Sequence, residues 1–362
     1  MSLFPGFMVL FNFMKIGVII FTALVVSLLP GLSISADVYS YGNDFTVIGW
    51  TGTYRVQGNE SLIEIARKFD LGYNEIVDAN PALDPFVPGT DALVLIPRSW
   101  ILPDVEPRSG IVINIPEMRL YYFFQQGKAH VVRTFPIGIG DEGKDTPTGT
   151  FKVIQKIVNP VWHVPLSIQK ERPEQPKIVP PGPENPLGTH ALRLSLGDVL
   201  IHGTNRPFAV GRRVTHGCIR LYPEDIPRLY GMVPNGAKVI IVRQPVKVGV
   251  YGKSVYIEVH NDDYQKGFNY LSEAVRILTR KGLLNEVSTE KLYKAVQEKR
   301  GLPVEISPAM QENQGFPVET SPEEEENQDV PVEISPKEEE KQSFPVEIPL
   351  AEFEGSKNPE DS

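Results

Sequence analysis

Short β-rich runs are the feature that most restricts the fold of this sequence. Between residues 108 and 245, runs such as GIVINI, MRLYYFF and KVIIVR are separated by glycine, proline and aspartate. Runs of this kind predict strands, and strands without long helices between them pack as a sandwich or a barrel. We therefore predict a mainly β, sandwich-like domain over residues 108–245.

One segment of this domain departs from the strand pattern. Residues 160–186 contain eight prolines in 27 positions. Proline fixes φ and donates no backbone hydrogen bond, which excludes a central strand or a helix. We expect a long ordered loop or lid here, and long loops in compact domains are often functional.

A small α/β module is predicted over residues 45–100. A short β-type run is followed by apolar residues at helical spacing from Leu62 to Phe69, by a second short helix over residues 74–80, and by the strand ALVLIP. With the ANP after the second helix and the closing LIP, this order resembles the LysM module. That family binds the N-acetylglucosamine-containing backbone of peptidoglycan; the alternative is a generic capping domain.

The C-terminal third divides into an ordered part and a repeat. Residues 246–300 predict a strand, SVYIEVH, and a pair of helices that we expect to pack on the preceding domain, because two helices alone are too small to be stable. From residue 301 to residue 362, PVEI or PVET recurs every 14 residues among 17 acidic and 3 basic side chains. Such a segment predicts a disordered tail. We favour a solvated tail without a dedicated partner over a spacer or a weak recognition segment.

The charge of the chain excludes one class of function. The formal net charge is −9, but residues 301–362 account for −14, and residues 37–300 are mildly basic at +4. No dense cluster of lysine and arginine is present, so we expect no nucleic-acid binding.

The first 36 residues predict an export signal. Lys15 precedes an apolar run over residues 16–29, and small residues follow up to Ala36. The run is shorter than the ~20 residues that span a membrane. We expect cleavage near Ala36; Met14 is an alternative start, and a retained membrane anchor is the alternative outcome.

Cys218 is the only cysteine, so the chain has no internal disulfide. In an exported protein an unpaired thiol is exposed to oxidants, which favours a functional thiol over an inert buried one. His202 ends a predicted strand sixteen residues upstream, and the proline and glycines between the two turn the chain back. A thiol with its ordinary pKa of ~8.5 is mostly protonated at neutral pH. We therefore predict Cys218 as nucleophile and His202 as its base; the alternative for His202 is a strand-end histidine satisfied by a carbonyl.

Neighbouring residues predict the rest of the site. The backbone amides of Gly217 and Cys218 are the expected oxyanion donors, and a glycine there leaves room for the acyl carbon. Arg220 binds a substrate carboxylate or braces the loop, and His216 shapes the turn or takes part in catalysis. A metal site built from Cys218, His202 and His216 lacks a fourth ligand and a recognisable spacing. We predict neither a metal nor another cofactor.

These residues resemble a known family. IHGT followed by THGCIRL, together with MRLYYF, DTPTGTF and NPLGTHALRL, resembles the signature of the L,D-transpeptidase catalytic domain over about residues 108–245. The order of a LysM-like module and this domain resembles the periplasmic subgroup of Gram-negative bacteria. The resemblance implies a β-sandwich-like fold and a periplasmic location.

The resemblance also implies a ping-pong acyl transfer. Cys218 attacks the carbonyl of the third residue of a peptidoglycan stem peptide, the terminal D-Ala leaves, and a thioester forms. His202 accepts the thiol proton and later serves the leaving or incoming amine. The residue after this histidine orients the ring in the family, often through its backbone carbonyl, and here it is Gly203. Thr215 stands where the family often has serine and keeps the hydroxyl.

The expected partners are stem peptides, glycan and, as a further acceptor, an outer-membrane lipoprotein. Two alternatives remain open at this stage. One is an L,D-carboxypeptidase or related hydrolase, in which water is the acceptor. The other is a wall-binding scaffold without catalysis, which the intact pair of His202 and Cys218 disfavours.

Overall fold

The computed structural model describes residues 38–262 and 264–308. The predicted signal peptide, residues 1–36, and the predicted tail from residue 309 onward lie outside the described residues. Among the described helices, none combines the length and the apolar character needed to cross a membrane.

The prediction of a mainly β protein is confirmed. The described strands are β1 (Val38–Ser40), β2 (Val47–Arg55), β3 (Leu93–Ile101), β4 (Gly110–Asn114), β5 (Arg119–Gln126), β6 (Ala129–Pro136), β7 (Ile139–Gly140), β8 (Gly149–Val158), β9 (Trp162–His163), β10 (Ile178–Val179), β11 (His190–Leu194), β12 (Leu200–His202), β13 (Arg213–Thr215), β14 (Ile219–Arg220), β15 (Lys238–Val242), β16 (Val246–Tyr251), β17 (Ser254–Val259) and β18 (Val304–Glu305). The described α-helices are α1 (Leu62–Lys68), α2 (Tyr73–Ala79), α3 (Leu166–Glu171), α4 (Asp225–Met232), α5 (Tyr270–Lys281) and α6 (Thr289–Glu298), with short 3-10 turns at Pro207–Ala209 and Leu284–Glu286.

Nine strands form one mixed sheet that folds into two layers. Their order is β1-β6-β5-β4-β15-β8-β11-β12-β14. Strand β8 pairs with β15 through residues 149–152 and with β11 through residues 153–158, so it carries the chain from one layer to the other. Apolar side chains from both layers and from α4 meet in one core, among them Ile113, Leu192 and Leu229. This is the predicted sandwich-like arrangement.

The small module has the predicted β-α-α-β order but shares its core with the sandwich. Strands β2 and β3 pair antiparallel, and Ser61 caps α1 by accepting a hydrogen bond from the amide of Glu64. The apolar side chains of the module pack against Val112 and Tyr121, whereas Ile113 of the same strand as Val112 faces the sandwich core. Strands β4 and β5 are therefore buried on both faces over much of their length, which explains their continuous apolar runs IVI and LYYFF.

A buried ion pair lies where the module meets the sheet. Arg119 on β5 is fully buried, and its Nε and one terminal nitrogen contact the two carboxylate oxygens of Glu75 on α2, each at 2.8 Å. Glu75 also accepts a hydrogen bond from the indole of Trp100 at 2.8 Å. Arg119 donates further to the Thr134 hydroxyl and to the carbonyl of Asp70. Because the buried charges are paired and hydrogen-bonded, the contact holds the module in one orientation.

The C-terminal segment forms a third unit, which the sequence predicts only in part. The helices end and begin as expected: Gly282 closes α5 with φ of +70°, and Ser288 caps α6. Strand β16, however, is not predicted, and it pairs with β17 along its whole length. The helix pair packs on these strands in a core of its own, and not on the sandwich as expected. The unpredicted strand supplies the apolar surface that the helices need.

The first copy of the repeat also differs from the prediction. Val304–Glu305 form β18, which pairs antiparallel with β17, and Ile306 is completely buried. Val304 and Ile306 share one face because they are two residues apart in an extended chain. The prediction of disorder from residue 301 is therefore wrong for residues 301–308.

A second buried network joins this unit to the rest of the protein. The ammonium of Lys247 on β16 contacts the carboxylates of Glu117 and Glu258 and donates to the carbonyl of Ile101 at 2.7 Å. Burial raises the pKa of Glu117 to about 7. Burial also acts to raise the pKa of Glu258, but Lys247 and His260 outweigh it and lower this pKa to about 2. The network links the sandwich, the end of β3 and the C-terminal unit.

We expect that replacing either partner of the Arg119–Glu75 pair destabilises the protein strongly. Arg119→Met or Glu75→Gln leaves the other group buried without its partner, so each should lower the free energy of unfolding by about 3–5 kcal/mol. The double variant should lose much less than the sum, because no unpaired charge remains. Urea unfolding measures all three values.

The exposed pair of Arg276 and Glu273 on α5 provides the control. Arg276→Met should cost less than about 1 kcal/mol, as is usual for surface ion pairs. Additive losses for the buried pair, or equal losses for the buried and exposed arginines, would contradict the assigned role.

Candidate active site

Two parallel strands place the predicted nucleophile and base side by side. Strand β12 ends at His202, and β14 begins directly after Cys218. The register pairs Ile201 with Ile219 and His202 with Arg220. Cys218 therefore lies two residues before the partner of His202 in the neighbouring strand. The charge of Arg220 acts on the pKa of both groups, so the three lie in one site.

The thiol has a hydrogen-bond partner other than the imidazole in this structure. Sγ of half-buried Cys218 lies 3.8 Å from the carbonyl oxygen of Asp198, in the turn before β12. Within residues 38–262 and 264–308, no hydrogen bond joins Sγ to His202. Burial raises the pKa of Cys218, against the opposing effects of a hydrogen bond from the backbone of Leu200 and the charge of Arg220. The raised pKa keeps the thiol of Cys218 protonated at neutral pH.

The imidazole of His202 is buried, oriented and neutral. Its side chain belongs to a residue that is only 3% exposed, and Nδ1 lies 2.6 Å from the carbonyl oxygen of Gly203. A carbonyl only accepts, so Nδ1 carries the proton and Nε2 bears the lone pair of the neutral ring. The backbone of Leu187 also interacts with the ring and, like that of Gly203, acts to raise its pKa. Burial and then the charge of Arg220 lower the pKa of His202 to about 3. A Cβ at Gly203 would come within 2.9 Å of Ile226, so a side chain has no room there.

The hydroxyl of Thr215 holds the turn that carries the thiol. It accepts a hydrogen bond from the amide of Gly217 at 3.2 Å and donates to the carbonyl of Cys218 at 2.7 Å. The hydroxyl of Thr146 donates to the carbonyl of Gly217 at 3.1 Å. Gly217 has a φ of +98°, a conformation that side chains rarely adopt. A glycine is therefore required by this backbone conformation; its predicted role in leaving space for an acyl group stays a prediction.

The hydrogen bonds of this turn leave only one of the two predicted oxyanion donors available. The amide of Gly217 donates to Thr215 and is not free to stabilise an oxyanion. The amide of Cys218 has no acceptor among the described residues. It therefore remains the available donor of the predicted pair.

Arg220 carries an unpaired nitrogen in the site. Its backbone exchanges two hydrogen bonds of 2.9 Å with Gly138, which fixes the strand, but its Nε is buried without a partner among the described residues. Burial and then neighbouring Arg206 lower the pKa of Arg220. A half-buried guanidinium whose buried Nε has no partner among the described residues favours binding of an anionic group, in line with the predicted contact to a substrate carboxylate.

His216 faces the lid instead of the thiol. Its Nε2 lies 3.1 Å from Nζ of Lys144 and 3.5 Å from a carboxylate oxygen of Glu171 on α3. Lys144 and Glu171 pair at 2.6 Å. Burial and then Lys144 lower the pKa of His216. The arrangement favours the first of the two predicted roles, because His216 ties the turn of Cys218 to the lid.

Residues 160–186 form an ordered lid, although short elements occur where none was expected. Strands β9 and β10 pair only with each other, and α3 has six residues. Buried Asn185 closes the base of the lid: its amide nitrogen donates to the carbonyl of Pro160 at 2.8 Å, and its oxygen accepts from the amide of Leu187 at 2.9 Å. Sequence reasoning missed this anchor; a lone asparagine between prolines was its only signal.

A different set of side chains could hold a metal ion. Among the described residues this set is Glu117, Glu258 and His260, all buried. The ammonium of Lys247 lies among them, 2.9 Å from Glu258, and supplies the positive charge that a cation would bring. Cys218 is not part of this set.

The chain is similar to proteins named as L,D-transpeptidases. Residues 108–241 match the family profile described as YkuD, L,D-transpeptidase catalytic domain. The chain is 38% identical over 262 residues to the probable L,D-transpeptidase YcfS of Escherichia coli K12, which covers 68% of this chain and 80% of that protein. It is 34% identical over 275 residues to the probable L,D-transpeptidase ErfK/SrfK of Salmonella typhimurium LT2, with 72% and 88% covered. A solved L,D-transpeptidase from Mycobacterium smegmatis is 26% identical, covers 36% of this chain and 57% of its own, and has a TM-score of 0.28.

The role of the Thr215 hydroxyl can be separated from that of its methyl group. Thr215→Val keeps the shape but leaves the Gly217 amide and the Cys218 carbonyl unpaired, so it should lower the free energy of unfolding by about 1–3 kcal/mol. Thr215→Ser keeps both hydrogen bonds and should stay close to the original stability. Urea unfolding compares them; equal losses would assign the effect to packing of the methyl group.

The charge of Arg220 should control the reactivity of the thiol. Because it lowers the pKa of Cys218 against burial, Arg220→Met should raise that pKa further and leave less thiolate. We expect the alkylation rate of the unchanged protein with iodoacetamide to keep rising above pH ~8.5. The methionine variant should react several-fold more slowly at a fixed pH, and Arg220→Lys should not. Intact-mass spectrometry gives the rates; a rate that levels off below neutral pH in the unchanged protein contradicts this electrostatics.

Proposed function

Because the chain belongs to the L,D-transpeptidase family, we propose that it transfers acyl groups of peptidoglycan stem peptides through a thioester on Cys218. The observation that carries this proposal is the neutral, oriented imidazole of His202 on the strand beside the thiol. Its Nε2, which bears the lone pair, is the proposed base for the protonated thiol. Rotation of the Cys218 side chain away from the carbonyl of Asp198 is the movement that the proposal requires.

Acylation is the first half of the proposed reaction. Nε2 of His202 takes the thiol proton while Sγ attacks the carbonyl carbon of the third stem residue. The C–N bond to the terminal D-Ala then breaks, and the leaving amine takes the proton from His202. The amide of Cys218 is the donor placed at the nucleophile itself, and it supports the oxyanion. The product is a thioester and free D-Ala.

The acceptor decides the second half. An amine of another stem peptide gives up a proton to His202, attacks the thioester and releases the thiol, which forms a cross-link. The amine of an outer-membrane lipoprotein would react in the same way and attach that protein to the wall. Water would give hydrolysis, which makes an L,D-carboxypeptidase the alternative. Arg220, with its unpaired buried nitrogen, is the proposed contact for a carboxylate of the stem.

The small module is proposed to bind the glycan of the wall. Its β-α-α-β order supports this, as does the position of an indole, that of Trp50, half exposed on β2. Export to the periplasm completes the proposal, supported by the predicted leader and by a substrate that lies outside the cytoplasm. Cleavage of the leader remains a prediction from the sequence.

The purified protein should convert a tetrapeptide-stem muropeptide into cross-linked dimers and free D-Ala. Mass spectrometry of the products reads the reaction, and intact-mass spectrometry of the protein should show an acyl adduct on Cys218. Cys218→Ala should abolish product and adduct, because no thiol remains. His202→Gln should lower the rate at least ~100-fold, the usual contribution of a general base.

The controls separate the alternatives. Tripeptide product without dimers identifies hydrolysis. Sedimentation of Cys218→Ala with peptidoglycan sacculi tests binding by the module apart from catalysis. Unchanged cross-linking by Cys218→Ala, or no product and no adduct with the unchanged protein, contradicts the proposed chemistry.

A further inference from the structure

The first copy of the repeat, residues 303–308, lies in a groove between β17 and α6. We call this segment the first repeat. Its backbone forms a short antiparallel ladder with β17, in which Glu305 lies opposite Tyr256. The amide of Ile306 donates to the carbonyl of Val255 at 2.8 Å, and the carbonyl of Ile306 accepts from the amide of Ser288 at 2.7 Å. The segment is therefore held as an added strand on one side and by the N-cap residue of α6 on the other.

Side chains make the contact specific to the sequence of the segment. Ile306 is completely buried, and Val304 packs against the same core. The hydroxyl of Ser307 accepts from the amide of Val255 at 2.8 Å, and its carbonyl accepts from Nζ of Lys291 at 2.8 Å. Two apolar side chains and a hydroxyl are thus recognised within six residues.

The same residues occur again later in the chain. PVEISP at residues 303–308 recurs unchanged at residues 331–336. The copy at residues 317–322 has threonine at the position of the buried isoleucine, and the copy that begins at residue 345 has proline at the position of the serine. Of these later copies, residues 331–336 retain each side chain that the groove contacts.

We propose that this groove is a binding site for the PVEISP motif and that its further ligand is residues 331–336 of a second copy of this chain. The incoming segment exchanges with the first repeat and forms the same ladder, with Glu333 opposite Tyr256. This is β-strand addition, in which main-chain hydrogen bonds give affinity and alternate side chains give specificity. The inference does not depend on the chemistry of Cys218.

The exchange depends on the local concentration of the chains. The first repeat follows the end of α6 at Glu298 after four residues, so its effective concentration at the groove is in the millimolar range or above. Since the exchanged segment makes the same contacts, a second chain competes when its motif reaches a similar local concentration. Each chain offers a groove and a motif at different places, so the contacts are heterologous and link chains head to tail.

Disulfide trapping tests this proposal with full-length protein. In a Cys218→Ser background, one protein carries Tyr256→Cys and a second, differently tagged, carries Glu333→Cys. Directly opposite residues have Cβ atoms about 4.5–5.5 Å apart, near the range in which a disulfide closes. We expect a mixed disulfide dimer at roughly millimolar protein, and a yield that falls on dilution.

Two control variants change only the ligand. Glu325→Cys, in the acidic stretch between motifs, reports random collision and should give several-fold less dimer than Glu333→Cys. Adding Val332→Asp and Ile334→Asp to the Glu333→Cys protein should reduce the dimer to this background, while the groove-bearing protein stays unchanged. Equal yields for the two cysteines, or a dimer that survives the aspartates, overturn the proposal.

The competing occupant is the motif of the same chain. A protein that carries both Tyr256→Cys and Glu333→Cys distinguishes the two by gel mobility under non-reducing conditions. Disulfide-linked multimers support exchange between copies. A disulfide that closes only within single chains, at each concentration tested, overturns it.

Discussion

Burial of β4 and β5 on both faces is the constraint on which the rest of the structure depends. One face closes the sandwich core through residues such as Ile113, and the other receives the small module through Val112 and Tyr121. Because the module shares a hydrophobic core with the sheet, we expect the two to unfold together. The paired charges of Arg119 and Glu75 set its orientation, because their fork-like hydrogen bonds tolerate little rotation. A glycan held by the module, as proposed, would therefore lie at a fixed distance from the strands of the active site.

Local signals predicted the elements of the fold better than their partners. The glycine stop at Gly282 and the cap at Ser288 depend on residues within one turn, and both were found where the sequence placed them. Strand β16 escaped prediction because it contains Gly249 and follows a proline, which are both typical of loops. Strand β18 escaped because its composition is that of the acidic repeat. The edge of β17 orders it, and such a contact between distant segments has no local signal.

In the site, too, the sequence predicted which residues take part better than it predicted how their groups are oriented. Spacing predicted Cys218 and His202 as a catalytic pair, and this assignment stays a prediction. Family resemblance led to the backbone carbonyl of Gly203 as the group that orients the ring, and the structure contains this contact. They did not reveal which way the amide of Gly217 points. That direction depends on a left-handed φ and on a hydroxyl two residues earlier, that of Thr215. The sequence motif alone specifies neither the φ angle of Gly217 nor the acceptor of its amide.

The electrostatics of the site explains how a lone thiol would persist in a protein that is exported, as proposed. Burial lowers the pKa of His202 to about 3 and raises that of Cys218, so an ion pair of thiolate and imidazolium is unfavourable before substrate binds. Arg220 lowers both pKa values. It therefore favours the thiolate and disfavours the imidazolium, and it cannot stabilise the ion pair as a whole. In the proposed reaction, proton transfer is therefore coupled to attack on a bound carbonyl. Because oxidants react with the thiolate and not with the thiol, a nucleophile that stays protonated until substrate arrives is also protected from oxidation.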